Sequence, residues 1–88
     1  MVTLSTDISL KMLARSLGGT VLVKLRNGRA IRGQLKGYDQ HMNLVLEGAE
    51  EIRGENNSVK LGLIVVRGDN IVMISPSQIK QEEEVSGA

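Results

Sequence analysis

Residues 21–38, VLVKLRNGRAIRGQLKGY, decide the fold. Val21, Val23 and Leu25 alternate with Lys24 and Arg26, the period-two pattern of a strand with one buried face. Asn27 and Gly28 supply the turn chemistry of a hairpin. A two-residue loop would pair Leu25 with Ala30 and set Ile31 opposite Lys24. A three-residue loop, Arg26 to Gly28 with the glycine left-handed, pairs Val23 with Ile31 and keeps the apolar residues on one face, so this register is expected. The returning strand, residues 29–38, carries Ile31, Gly33 and Leu35 on one side. Gly33 in its middle predicts a sharp bend or a close backbone approach, and strong curvature suits a small barrel.

On the N-terminal side, Ile8, Leu10, Leu13, Ala14 and Leu17 recur at helical spacing, with Lys11 and Arg15 opposite them. Asp7 or Ser9 offers a cap, Gly18 and Gly19 supply the stop, and the helix is expected over residues 7–17. On the C-terminal side, Asp39 to His41 breaks the pattern and Met42 to Glu47 reads as a third strand. Gly48 to Ser58, acidic and rich in Asn and Gly, reads as a loop with some strand at its start.

Val59 to Val66 and Ile71 to Ile74 are apolar on both faces and flank the turn Arg67-Gly68-Asp69-Asn70. Strands of that kind need burial on both sides. In so small a protein the second face is covered by another copy of the chain or by the N-terminal helix, and the first is expected, giving an oligomer. Pro76 closes the last strand, and residues 77–88 read as an acidic, disordered tail containing Glu82 to Glu84. The result is one domain over residues 1–76: mainly β, a helix followed by a strongly bent five-stranded antiparallel barrel.

Composition narrows the function. Eighty-eight residues leave no room for a second catalytic module. The single Tyr, with no Phe or Trp, leaves a core of small aliphatics, a further reason to gain stability by oligomerising. No Cys and one His exclude a disulfide framework and argue against a metal site. No apolar run reaches the about 20 residues of a membrane span, and the first residues lack signal-peptide character, so a cytoplasmic protein with no membrane role is expected. Eleven Lys and Arg face ten acids, but without Glu82 to Glu84 the cations face seven, a net charge of +4. Lys24, Arg26, Arg29, Arg32 and Lys36 occupy a stretch with no acid; the first four form either a basic face that guides a polyanion or a solvated surface.

Catalysis finds no support. Asp39 and His41 could hold a general base, but no nucleophile stands in a recognisable context, and phosphate-binding and metalloprotease motifs are absent from the sequence. Binding is better served. Asp39, His41 and Asn43 follow one apolar strand, and Arg67, Gly68 and Asp69 follow another. Imidazole and guanidinium planes stack on bases, while a carboxamide both donates to and accepts from a base edge. Asn43 beside His41 is suited to the uracil edge, and a carboxylate such as Asp69 can fix which way the amide points.

These residues carry a resemblance. The segment 19–51, beginning GTVLVKLRNGRAIRGQLKGYDQHMNLVL, resembles the first Sm motif of the Sm and Sm-like (LSm) proteins, and LGLIVVRGDNIVMI, residues 61–74, resembles the second. The spacing of Asp39, Met42 and Asn43, the bend at Gly33 and the Arg67 to Asn70 turn agree, and the short connecting loop is most similar to the archaeal Sm-like proteins. The resemblance implies a homo-oligomeric ring, with seven subunits expected, closed by pairing of the fourth strand of one subunit with the fifth of the next. It implies binding of single-stranded, uridine-rich RNA at the inner rim, without a cofactor or catalysis, in RNA processing or decay. RNA-processing proteins are then expected partners, and a ring that mainly scaffolds proteins is the alternative. Carried over residue by residue, His41 stacks on a base, Asn43 reads the uracil edge and Arg67 packs on the other side. Asp69 holds Asn43, and the Gly68 backbone lies close.

Overall fold

A short helix closes one end of a single antiparallel sheet in the computed structural model, which describes residues 6–77. Helix α1, Thr6–Ser16, packs Leu13, fully buried, with Leu10 and Met12 on the core, while Lys11, Ala14 and Arg15 face solvent. It ends where Gly18 turns left-handed at φ 87° and Gly19 N–H donates to the Ser16 carbonyl at 2.8 Å. Gly18 N–H donates in turn to Leu35, fastening the helix end to the sheet. The apolar stripe is narrower than expected, because Ile8 and Leu17 lie more than half exposed. Ser9 sits inside the helix and cannot be its cap, and the Asp7 side chain lies outside the described residues.

Five strands follow: β1 (Thr20–Leu25), β2 (Ala30–Tyr38), β3 (Leu44–Gly54), β4 (Asn57–Val66) and β5 (Ile71–Pro76), in spatial order β4-β3-β2-β1-β5. Val23 pairs with Ile31, so the β1–β2 hairpin takes the three-residue loop, with Gly28 left-handed at φ 88°. Gly33 marks the bend: the β2–β3 register shifts between Arg32 and Gln34. A Cβ there would lie 3.1 Å from the Ala49 Cα and 3.2 Å from the Leu46 Cβ, so the two strands approach so closely that a side chain would push its neighbours aside by a few tenths of an ångström.

The reading of Gly48 to Ser58 as a loop is overturned. β3 continues to Gly54 and pairs with β4 up to Gly54 opposite Asn57, leaving a turn of Glu55 and Asn56. Two features hid this strand. Gly48 is left-handed at φ 61° and interrupts the pairing, so burial passes from Leu44 and Leu46 to Ala49 and Glu51 and the alternation breaks. The acids are satisfied: Glu50 across the sheet by Arg32 at 2.8 Å and by Ser58 Oγ at 2.8 Å, and buried Glu51 by Arg29, next to the start of β2, and by Arg53 two residues along β3. Arg32 and then Ser58 hold the Glu50 carboxyl below the usual carboxylate range.

Leu13, Val21, Val23, Ile31, Leu35, Leu44, Leu46, Ala49 and Val66 make a core without a buried aromatic ring. The edge strands tell the rest. Leu63 and Val65 of β4 are 69% and 67% exposed, and Val72 of β5 is 66% exposed. The helix therefore does not cover the second apolar face. The 77–88 tail, apart from Ser77, lies outside the described residues.

Candidate nucleic-acid interface

Two turns at the ends of β2 and β4 build the site. In the first, Met42 N–H donates to the Asp39 carbonyl at 3.0 Å, and one Asp39 carboxylate oxygen accepts from the backbone N–H groups of His41 at 2.8 Å and Asn43 at 3.0 Å. The other oxygen accepts from Asn43 Nδ2 at 2.9 Å. The Asn43 side-chain amide, then its backbone N–H and that of His41, hold the Asp39 carboxyl below the usual carboxylate range, against a smaller opposing effect of desolvation. Met42 is left-handed at φ 67°, a conformation disfavoured for residues with a side chain. Packing of Met42 on the core and the bonds to Asp39 hold it there.

The second turn is a 3-10 segment, Gly68–Asn70, in which Asn70 N–H donates to the Arg67 carbonyl at 3.0 Å. Gly68 N–H donates to Asn43 Oδ1 at 2.8 Å and joins the two turns. A Cβ on Gly68 would collide with the His41 carbonyl oxygen, so a side chain is excluded at this junction.

The Asn43 amide is thus fixed at both ends, its NH2 toward a carboxylate that only accepts and its oxygen toward an N–H that only donates. One N–H and one lone pair remain. That pair complements the O4 and N3–H of uracil, whereas cytosine offers a donor and an acceptor in the reverse order. The Asp39 carboxylate, rather than Asp69, orients this amide. Asp39 and Asn43 share a turn, so a short side chain reaches, while Asp69 contributes only its backbone carbonyl, which accepts from Arg26 Nε at 2.6 Å.

Asn43 and Arg67 line a cavity of about 510 Å³ whose other walls include Tyr38, Asp39, Val45 and Val65. His41 stands exposed in the same turn as Asn43, outside this lining. Sequence reasoning did not single out Tyr38, Val45 or Val65; the one available signal was that Tyr38 is the only aromatic residue and precedes Asp39.

The acid-free basic stretch does not become one patch of free cations. Arg29 pairs with Glu51 at 3.5 Å, Arg32 with Glu50 at 2.8 Å and Lys36 with Glu47 at 3.5 Å. Lys24 is exposed and makes no ion pair among the described residues. Among those residues no three His, Cys, Asp or Glu side chains are grouped to hold a metal, and no helix is long and apolar enough to cross a membrane.

Residues 11–76 match the LSM domain, three quarters of the chain. The chain belongs to the LSM domain family. An Sm-like protein of Methanosarcina barkeri is 51% identical over 67 residues, covering 76% of this chain and 93% of its own. The crystal structure of a heptameric archaeal Sm protein superposes with a TM-score of 0.72 at 52% identity, covering 76% of this chain and 97% of that one. The Sm protein of Pyrococcus abyssii, solved in complex with a uridine heptamer, also gives 0.72, at 47% identity, covering 77% of this chain and 96% of that one.

In this LSM protein the lowered Asp39 value has a definite sign. A carboxyl depressed by folding stabilises fully above its unfolded value of about 3.9, and the contribution is lost as pH falls through the lower folded value. Asp39→Asn is therefore expected to be less stable than the wild type at pH 7, with the difference closing below about pH 4. Urea unfolding at fixed protein concentration checks this, and a difference that stays constant down to about pH 2 contradicts it.

Proposed function

We propose that this protein is a non-catalytic, cytoplasmic RNA-binding protein that assembles with six copies of itself into a ring and holds single-stranded, uridine-rich RNA at the inner rim. It then acts as a chaperone or scaffold for RNA in processing or decay. The observation that carries the RNA reading is the Asn43 amide, locked by Asp39 and Gly68 in the orientation that suits uracil, with Arg67 and His41 beside it as stacking surfaces. The ring is supported by the two edge strands, whose apolar residues Leu63, Val65, Val72 and Met73 are exposed in one chain. Heptameric assembly of an archaeal Sm protein at 52% identity and the uridine heptamer bound by another at 47% agree with it.

The mechanism is repetition. Stacking contributes about 1–3 kcal/mol per base, and a ring presents the same site to successive nucleotides at high effective concentration. Modest single-site contacts then add to firm binding of a short RNA. Fluorescence anisotropy with a seven-nucleotide oligouridine and the matching oligocytidine at physiological salt tests the reading. A clear uridine preference is expected. Equal binding of the two reduces the interaction to charge, and binding of neither leaves a ring that scaffolds protein partners.

A further inference from the structure

Arg26 lies on the β1–β2 turn, far in sequence from the residues above, yet it grips the turn that carries them. Its backbone N–H donates to the Asn70 carbonyl at 2.9 Å, and its side-chain Nε donates to the Asp69 carbonyl at 2.6 Å. Two consecutive carbonyls of the 67–70 turn are thereby stapled to the β1–β2 hairpin. The turn is a three-residue 3-10 segment with no buried residue and no side-chain cap, closed on itself by Asn70 N–H to the Arg67 carbonyl and by Ile71 N–H to the Gly68 carbonyl, and the Arg26 Nε bond is the side-chain bond that ties its Asp69 carbonyl to the β1–β2 hairpin. From the same turn, Gly68 N–H reaches Asn43 Oδ1 at 2.8 Å.

We infer that Arg26 is a positioning residue for uracil recognition: through its Nε it holds the 67–70 turn where Gly68 N–H fixes the Asn43 amide. This rests on the RNA-binding reading and deepens it. Arg26 is thereby set apart from Arg29 and Arg32, whose guanidinium groups pair with Glu51 and Glu50 on β3. The Nε bond uses one donor of the guanidinium and does not require its charge, so geometry and charge can be separated by substitution.

Glutamine places its Nε2 the same number of bonds from the backbone as the arginine Nε, keeping a donor and losing the charge. Methionine has the same length with neither. The backbone bond from residue 26 to Asn70 survives in both variants. Arg26→Gln and Arg26→Met are therefore compared as intact rings, checked by native mass.

With oligouridine and oligocytidine as probes, Arg26→Gln is expected to keep the wild-type selectivity ratio. Arg26→Met is expected to lose about fivefold of it, the worth of one net hydrogen bond. The slope of affinity against salt should be equal in the two variants, since both lack the charge. A second readout needs no RNA: amide exchange at Gly68 should quicken in Arg26→Met and stay at the wild-type rate in Arg26→Gln. Equal selectivity and equal Gly68 exchange in the two variants overturn the inference. So does an equal loss of selectivity in both, which would trace the effect to the guanidinium rather than to a donor at the Nε position, whereas equally weakened binding of both oligomers at an unchanged ratio would make Arg26 a phosphate contact. If the wild type itself shows no uridine preference, the RNA reading fails, and Gly68 exchange still decides whether Arg26 holds the turn.

Discussion

Asn43→Ala is expected to lower affinity for a seven-nucleotide oligouridine about a hundredfold, while binding of the matching oligocytidine changes little. A paired donor and acceptor reading one base edge is worth about 1–3 kcal/mol. Two engaged subunits at about 1.4 kcal/mol each already amount to a hundredfold, and a ring engages more. The alanine variant keeps Arg67, His41 and every charge, so whatever stacking and electrostatics contribute remains for both oligonucleotides. It also leaves the Gly68 N–H and one Asp39 oxygen without their partner, so a stability loss of about 1 kcal/mol accompanies it. Anisotropy on the two oligomers separates these effects. An equal loss on uridine and cytidine would falsify the role given to the amide.

The second large effect is on assembly. The double variant Leu63→Asp, Val65→Asp is expected to run as a monomer at micromolar concentration where the wild type runs as a ring. Both side chains are about two-thirds exposed on the edge strand β4, so two carboxylates there are solvated in the single chain. At an interface the same groups would be buried without partners, at a cost of several kcal/mol per contact. In a closed ring every subunit meets two neighbours, and the cost recurs at each junction. Native mass spectrometry reads the outcome, and far-UV circular dichroism checks that the sheet is retained. A ring that persists in this variant removes β4 from the interface. Loss of the ring should also weaken oligouridine binding, because linked sites become isolated ones.

Much of this architecture is local and therefore written along the chain. The alternation of Val21, Val23 and Ile31 around Asn27 and Gly28 selects the three-residue hairpin loop, because the other register would put Ile31 opposite Lys24. Gly18 ends the helix because its left-handed backbone favours a residue without Cβ. The two-sided apolar character of 59–66 and 71–74 announces strands whose second face one chain leaves uncovered. The grouping of His41, Asn43 and Arg67 follows from the resemblance of their motifs, and the fold brings Asn43 and the Arg67 turn together.

Other features were not legible, and for one physical reason. Glu50 and Glu51 look like loop residues until Arg32 and Arg29, distant in the chain, are brought against them. Asp39 and Asp69 are equal candidates on paper, and only the tight turn from 39 to 43 gives the Asn43 amide to Asp39. Arg26 looks like one cation among several until the pairing of β1 with β5 lays its turn against Asp69, 43 residues away. Periodicity, caps and turn chemistry depend on neighbours in the chain, so the sequence by itself determined the element order, the hairpin register and the two last strands apolar on both faces. Which donor meets which acceptor between distant turns depends on how far Gly33 bends β2 and how Gly48 interrupts the pairing of β3 with β4. Only the tertiary structure decided that.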